Sequence, residues 1–235
     1  MRDQPSASDV CQPSRPPPLP DYLRQTYHWA YINPRTVPWL DRNFVVSAIL
    51  WGNARRLIKA ACAEFTARQR VLQAACVYGD FSRQLAQRLG PQGLLDIVDV
   101  AAIQVQHTQR KLANLPQARV HQANLTTPLA QQYDGVCAFF LLHEVPPEER
   151  GQIVDNLLAA VTENGKAVFV DYHRPARWHP LRPIMAAVFR LLEPYAPSLL
   201  KADIATLSPR GKDFEWQRTT LFGGLYQHVV ATRRV

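Results

Sequence analysis

The stretch that most constrains the fold of this chain runs from Val71 to Leu85. An apolar run, VLQAACV, ends in a short loop with one glycine, Gly79, and an amphipathic segment follows. That order predicts a strand, a loop and a helix, the unit that contacts the ligand in nucleotide-binding α/β folds. Such loops usually carry three glycines, which let the backbone approach the ligand closely. Here the single glycine is flanked by Val77, Tyr78 and Asp80. The sequence therefore predicts a ligand-binding loop whose side chains differ from those of the usual glycine-rich loop.

Strand and helix patterns alternate through the rest of the chain. Apolar runs predict strands at 71–77, 94–100, 119–124, 133–142, 166–172, 216–220 and 226–232, and amphipathic segments predict helices at 82–89, 103–115 and 147–161. The succession predicts an α/β fold with a doubly wound, mostly parallel seven-stranded sheet and helices on both faces.

The flanking regions predict three further parts. Residues 1–20 hold six of the 19 prolines and are expected to be a disordered, proline-rich tail. Residues 21–70 are expected to form an N-terminal helical extension, with a single amphipathic helix over 41–65. Residues 71–235 are expected to form the catalytic domain, with an inserted helical cap at 174–205 in which arginines alternate with apolar residues.

Composition narrows the class of protein and its location. The formal net charge is +8, but the arginines are scattered, so no nucleic-acid partner is expected. The four cysteines have no metal-like spacing and suit buried thiols in a reducing compartment. No apolar stretch reaches the roughly 18 residues of a membrane span, and no signal peptide is visible. The expected location is the cytoplasm, peripherally associated with the inner membrane.

Four motifs, in order and at matching spacing, resemble the class I S-adenosylmethionine-dependent methyltransferase family. They are VLQAACVYGD, LLDIVDV, HQANL and YDGVCAFFLLHEVP, and with the residues between them they cover most of 65–170. The resemblance implies a Rossmann-like fold, a ribose contact by Asp99 and an adenine contact by Asn124 and Leu125. The full set of implied cofactor-binding residues is Val77, Tyr78, Gly79, Asp80, Asp99, Val100, Asn124 and Leu125.

A narrower resemblance is to the rhodoquinone biosynthesis protein family. It is carried by VYGDFS, by the segment from DYHRP to LEPYAPSL, and by TTLFGGLYQHVVA. The resemblance implies that S-adenosylmethionine donates its amino group to ubiquinone, a lipid substrate, and that manganese(II) assists. Separately, the arginines among apolar residues at 174–200 predict peripheral membrane contact, because an amphipathic basic helix can lie on an anionic bilayer. A simple lid over the core is the other interpretation, and the two are compatible.

Polar residues at the ends of the predicted strands are candidates for catalysis. Tyr78, His143, Asp171 and His173 are the predicted catalytic residues, since histidine is a natural general base near neutral pH. Tyr78 with Asp80 is expected to turn the amine of the cofactor, rather than its methyl group, toward the substrate. Oxygen and nitrogen ligands suit manganese, and the candidate ligands are Asp80, His143, Glu144 and Asp171.

Two other functions remain open on the sequence. One is a conventional methyltransferase that acts on a quinone or another apolar small molecule. The other is a non-catalytic, membrane-associated protein that only binds S-adenosylmethionine, with which the altered loop is equally compatible.

Overall fold

The computed structural model describes residues 17–234. Most of the predicted proline-rich tail therefore lies outside the described residues, and residues 17–20 belong to no helix or strand. None of the helices in the described part of the chain has the length and apolarity needed to cross a bilayer. The three described cysteines, Cys62, Cys76 and Cys137, are free thiols.

A seven-stranded sheet forms the centre of the protein. Its strands are β1 (Arg70–Ala74), β2 (Leu94–Asp99), β3 (Ala118–Gln122), β4 (Tyr133–Phe139), β5 (Val161–Tyr172), β6 (Phe214–Leu221) and β7 (Tyr226–Arg233). Their order is β3-β2-β1-β4-β5-β7-β6, and β7 runs antiparallel to both of its neighbours. The first five strands are parallel. The central strands β1, β2 and β4 are mostly buried, as expected when helices cover both faces of a sheet, whereas β3 at the edge is only partly buried. The predicted fold class is confirmed.

Helices cover both faces of this sheet. They are α4 (Ala54–Ala63), α5 (Phe81–Leu89), α6 (Ala102–Lys111) and α7 (Pro147–Ala159). One apolar core includes buried side chains of α4 and α5, and a second includes those of α7. Because the parallel strands all end at one edge, the loops that follow β1, β2, β4 and β5 meet there, which is where ligands bind in open α/β sheets.

Short helices precede the sheet. They are α1 (Asp21–Gln25), a π-helical turn (His28–Ile32), α2 (Val37–Leu40) and α3 (Asn43–Ile49), followed by α4. The prediction of one helix over residues 41–65 is wrong. Trp51 and Gly52 both have positive φ, 52° and 77°, which a right-handed helix cannot contain, so the chain turns between α3 and α4.

The inserted segment between β5 and β6 contains two helices and two turns of 3₁₀-helix. The helices are α8 (Arg182–Leu191) and α9 (Ala196–Leu199), and the 3₁₀ turns are Ile204–Thr206 and Pro209–Asp213. Met185 and Phe189 of α8 are buried against the core, whereas the remaining face of the helix carries exposed arginine and leucine.

Candidate active site

A cavity of ≈ 360 Å³ lies at the carboxyl edge of the parallel strands. The loops after β1, β2 and β4 form one side of it, and the N-terminal extension (residues 21–70) and α8 form the other. Of the predicted cofactor-binding residues, Val77, Tyr78, Asp99, Val100, Asn124 and Leu125 line the cavity. The structure brings six of the eight together, while Gly79 and Asp80 are elsewhere.

The contacts of the loop after β1 differ from those expected of a loop that binds a cofactor. Ala75, at the end of the strand, has a φ of +67°, a left-handed conformation that usually favours glycine. Gly79 is buried beneath the N-terminal extension, and its N–H donates to the Asp41 carboxylate at 2.8 Å. A Cβ on Gly79 would lie 3.3 Å from the Val46 side chain. The prediction that Gly79 approaches the cofactor is therefore corrected, because its amide and its open side face the extension.

Tyr78 joins the same loop to the N-terminal extension. Its hydroxyl donates to the Ala30 carbonyl at 2.5 Å and accepts from the Gln104 Nε2 at 2.8 Å. The Gln104 amide also donates to the Tyr31 carbonyl at 2.9 Å, and the Tyr31 and Tyr78 rings stack with centroids 5.6 Å apart. Tyr78 thus lines the cavity with its ring, while its hydroxyl holds the extension in place.

Asp80 lies outside the cavity. It precedes α5, where its carboxylate accepts a hydrogen bond from Gln84 Nε2 at 3.0 Å and lies 3.5 Å from Arg83. Both partners are on the same helix, so the carboxylate faces along α5. The expectation that Asp80 holds the ammonium group of the cofactor beside Tyr78 is corrected accordingly.

Asp99 ends β2 at the cavity wall. One carboxylate oxygen accepts the Cys76 N–H and the other accepts the Ala101 N–H, both at 2.8 Å. Burial raises the pKa of Asp99 to about 6, although these amide bonds lower it in part. Each oxygen keeps a second acceptor position, so the side chain is fixed and able to receive two hydroxyl groups of a ribose.

The loop after β3 supplies the neighbouring wall. The Asn124 side-chain oxygen accepts the Thr126 N–H at 3.0 Å, which fixes the turn that follows the strand. Leu125 is buried, and its carbonyl accepts from Asn156 Nδ2 at 2.9 Å. These bonds hold Asn124 and Leu125 at the cavity, where their placement suits the predicted contact with an adenine ring.

A cluster of one histidine and three carboxylates, two of its members buried and two partly buried, lies at the β4 end of the cavity. We call this set, His143, Glu144, Asp171 and Glu193, the acidic cluster. His143 Nδ1 lies 2.8 Å from an Asp171 oxygen, which makes this nitrogen the donor, and Nε2 lies 3.6 Å from Glu144 and 3.8 Å from Glu193. Three of the four line the cavity, and Asp171 lies behind His143.

Asp171 fixes the position of His143. Its carboxylate accepts backbone N–H bonds from Leu142, His143 and Tyr172 as well as the imidazole bond. A carboxylate with this many donors has no free position toward the cavity. The predicted catalytic Asp171 is therefore a positioning residue, which orients an imidazole that faces the other two carboxylates.

The pKa values of His143, Glu144 and Glu193 are all raised. Burial lowers the pKa of His143, but Asp171, Glu193 and Glu144 outweigh it and raise that pKa to about 9. Burial, opposed by His143 and supported by Glu193, raises the pKa of Glu144 to about 8. The pKa of Glu193 is also raised, chiefly by burial. Of His143 and Glu144, Glu144 has the pKa value nearer neutrality, which suits it to exchange a proton with a bound reactant.

Three residues of this end were not predicted from the sequence. The Tyr31 hydroxyl donates to Glu144, and the Tyr27 hydroxyl donates to Glu193 at 2.8 Å. Tyr27 and Tyr31 come from the N-terminal extension and Glu193 from the segment after α8. In the sequence, the two tyrosines are four residues apart within an aromatic-rich stretch. That spacing could have indicated that they lie on one face of a helix, but it does not indicate which carboxylates they contact.

His173 and the predicted manganese site do not fit the geometry. His173 lies outside the cavity lining, and its Nδ1 faces the Gly224 carbonyl at 3.1 Å. Asp80 and Asp171 have their oxygens turned to other partners, as described above. Across residues 17–234 there is no group of three or more His, Cys, Asp or Glu side chains arranged to hold a metal ion.

Comparisons with known proteins agree with this architecture. Residues 71–165 match the family model described as a methyltransferase domain. A comparison with curated proteins yields no match. Among solved structures, the chain is similar to a SAM-dependent methyltransferase from Aquifex aeolicus (15% identity, 86% of this chain and 99% of that chain, TM-score 0.56).

Two further solved structures share the fold. The N-methyltransferase NodS from Bradyrhizobium japonicum, in complex with S-adenosyl-L-homocysteine, is 10% identical over 92% of this chain and 100% of that chain, with a TM-score of 0.57. An O-methyltransferase family protein from Burkholderia thailandensis is 12% identical, with a TM-score of 0.62; the match covers 88% of this chain and 63% of that longer one. Residues 71–165 thus resemble a methyltransferase domain, and the chain shares its fold with these solved methyltransferase structures.

Proposed function

We propose that this protein replaces a ring methoxy group of ubiquinone by an amino group drawn from S-adenosylmethionine. The observation that carries the proposal is the loop after β1, where the single glycine is bonded to Asp41 and Tyr78 is tied to the N-terminal extension. This loop is where the amino acid end of the cofactor is expected. Its altered surface favours a different placement of that end, and a shift of about 1 Å can change which atom reacts.

The β2 end of the cavity suits the nucleoside part of the cofactor. Asp99 presents acceptor positions for the ribose hydroxyls, and Asn124 and Leu125 are held beside it by the Thr126 and Asn156 bonds. When bound there, S-adenosylmethionine supplies the nitrogen, while this chain holds the nucleoside and leaves the remaining cavity to the acceptor.

The acidic cluster suits the proton transfers that amination requires. An α-amine attacks only after losing the proton of its ammonium form. Glu144, whose pKa is raised to about 8, lies at the cavity, where its carboxylate form can accept that proton. His143, whose pKa is raised to about 9, is mainly the imidazolium at neutral pH and lies beside Glu144 as a proton donor. Amino transfer would form a bond between the ring carbon and the amine nitrogen and would release the methoxy group, with a proton, as methanol. It would also break the bond between that nitrogen and the α-carbon of the cofactor, and loss of a β-proton would release the remaining carbon skeleton as an alkene. We assign no residue of this chain as a ligand of manganese.

The apolar part of the lining suits a quinone ring. Phe139 at the end of β4 lines the cavity, as do the next two residues, Phe140 and Leu141. Val188 and Leu192 line it from the cap. Apolar walls with a few convergent polar groups are typical of small-molecule sites. The ring therefore has an apolar surface on which to lie, next to the acidic cluster.

The proposal is tested with purified protein, S-adenosylmethionine and a short-chain ubiquinone, with and without manganese(II). Mass spectrometry of both products should find an aminoquinone and methanol. S-adenosylhomocysteine together with a methylated acceptor would contradict the proposal.

A second candidate is a conventional methyltransferase with an apolar acceptor. The match of residues 71–165 to a methyltransferase domain favours it, and in that case the acidic cluster would deprotonate the acceptor. It predicts a methylated product and S-adenosylhomocysteine from a demethylated quinone, and no nitrogen in the acceptor. The same mass spectrometry separates the two candidates.

A further inference from the structure

Exposed apolar side chains are concentrated in two segments, residues 29–51 and 178–192. All nine large apolar side chains described as exposed in residues 17–234 fall within them. They are Trp29, Trp39, Phe44, Ile49, Trp51, Trp178, Ile184, Leu191 and Leu192. Scattered exposed apolar residues need no explanation, but a concentration of them marks an interaction surface.

The two segments meet around the mouth of the cavity. Trp29, Ile49 and Trp51 line the cavity from one side, and Leu192 lines it from the other. The hydrogen bond from Tyr27 to Glu193 joins the N-terminal extension to the end of α8. We call the exposed apolar residues of both segments the apolar rim, because several of them lie on the wall of the cavity.

The charged side chains around the apolar rim are predominantly positive. Exposed arginines without an ion pair in the described residues adjoin both segments: Arg42, Arg55, Arg56, Arg177, Arg182 and Arg190. The only acidic residue from 29 to 59 is Asp41, which Lys111 and His107 neutralise. None occurs from 174 to 192. A surface of tryptophan, leucine and arginine fits an interface between hydrocarbon and anionic headgroups.

We propose that the apolar rim docks this protein on an anionic bilayer, with both the N-terminal extension and α8 in contact with the lipid. The mouth of the cavity then faces the membrane. A second copy of the chain is a poorer occupant, because a symmetric dimer through this patch places the unpaired arginines of one copy against those of the other. The inference goes beyond the proposed reaction, since lipid binding is measured without cofactor or substrate.

The first test is co-sedimentation of the full chain with vesicles. Binding is expected to vesicles that contain phosphatidylglycerol, to be weak with phosphatidylcholine alone, and to fall as salt rises, because surface charges are screened within roughly 8 Å at physiological ionic strength. Arg177→Gln/Arg182→Gln/Arg190→Gln should lose about tenfold or more in binding, since each basic residue near an anionic surface contributes on the order of 1 kcal/mol.

A matched control removes the same charge from the opposite edge of the sheet. Arg68, Arg119 and Lys212 lie at or before the amino ends of β1, β3 and β6, and all three are exposed. The triple Gln variant at these positions should bind anionic vesicles like the unaltered chain. Equal loss in both variants would mean that net charge alone drives binding, which would overturn the proposed surface.

Depth of insertion is measured by brominated-lipid quenching of single-tryptophan variants, with the other four tryptophans replaced by phenylalanine. Trp178, 78% exposed, should be quenched, as should Trp51 in its own variant. The ring of Trp216 stacks on that of Phe169, with 6.0 Å between the ring centroids, so the fluorescence of Trp216 should not be quenched. Quenching of Trp178 without Trp51 would contradict joint docking by both segments. Absence of vesicle binding together with a dimer in light scattering would assign the apolar rim to a second copy instead.

Discussion

The two ends of the cavity are built on different principles. At the β2 end, the residues come from loops that directly follow parallel strands, and their hydrogen bonds are to nearby backbone amides, as with Asp99 and Cys76. At the β4 end, Tyr27, Tyr31 and Glu193 come from the N-terminal extension and the segment after α8, and their partners are distant in sequence. The strands of the sheet therefore determine which residues lie at the β2 end, whereas packing between distant segments determines which residues lie at the β4 end.

This difference predicts where substitutions act on stability and where they act on binding. At the β4 end, removing one member of a buried, mutually bonded set leaves other polar groups without partners. At the β2 end, removing the Asp99 side chain leaves two backbone amides without their acceptor and also removes a predicted contact with the cofactor.

The largest effect is expected for Asp171→Ala. It removes the partner of His143 and of three backbone amides, all of them buried. Loss of one partner of a buried charge pair typically costs about 3–5 kcal/mol, so the free energy of unfolding should fall by about that much. Urea denaturation measures it, with the exposed Asp213→Ala as control. A loss below about 1 kcal/mol would contradict the positioning role.

A smaller effect is expected for Asp99→Ala. The variant should bind S-adenosylmethionine more weakly by about 1–3 kcal/mol, the scale of a lost hydrogen bond to a charged group. Isothermal titration calorimetry measures the change. Asp80→Ala is the matched control, because its carboxylate faces Gln84 and Arg83 and should leave the affinity unchanged. The reverse pattern, with Asp80 important and Asp99 not, would restore the sequence-based role of Asp80.

Tyr31→Phe tests the link between the N-terminal extension and the acidic cluster. It removes one donor to Glu144 while keeping the ring that stacks on Tyr78. The free energy of unfolding should fall by about 1 kcal/mol, the usual net value of one hydrogen bond. Because the phenol lowers the pKa of Glu144, the variant should also raise that pKa. If the pH dependence of the reaction rate is unchanged in this variant, Tyr31 does not influence the protonation of Glu144 during the reaction.

The acidic cluster also predicts the direction of pH dependence. The pKa of Glu144 is raised from 4.5 to about 8, so folding stability is highest below 4.5 and falls as pH rises toward 8. The pKa of His143 is raised from 6.5 to about 9, so its contribution is fully present below 6.5 and is lost as pH rises through 9. Melting temperature should therefore decline from acid to alkaline pH across this window.

Glu144→Gln should flatten the part of that decline between pH 4.5 and 8. Glu148→Gln, at the exposed start of α7, should keep the full slope. Melting curves recorded at several pH values for the three proteins check both statements. Parallel curves for all three would mean that Glu144 does not carry the pH dependence.

The same comparison explains what the sequence could predict. Alternating apolar runs and glycine turns are local signals, so the seven strands and the position of Asp99 at the end of one of them could be inferred from the sequence. Asn124, which also lines the cavity, was identified by the family resemblance. The turn at Trp51 and Gly52, which divides the predicted helix, depends on backbone conformation that an amphipathic pattern does not encode.

Other features depend on contacts between distant segments. Gly79 faces Asp41 and Val46 because the N-terminal extension covers the loop. Glu193 joins the acidic cluster because α8 brings it to Tyr27. Neither contact leaves a periodic signal, since both partners are single residues far apart in the chain.

The central claim, amino rather than methyl transfer, is tested most directly by isotopic labelling. S-adenosylmethionine with a heavy-nitrogen label on its α-amine and, separately, a heavy-carbon label on its methyl group is incubated with the protein and a mixture of ubiquinone and demethylated ubiquinone. The account predicts heavy nitrogen in the quinone product and no heavy carbon. Heavy carbon in the quinone without heavy nitrogen would contradict it and would identify a conventional methyltransferase.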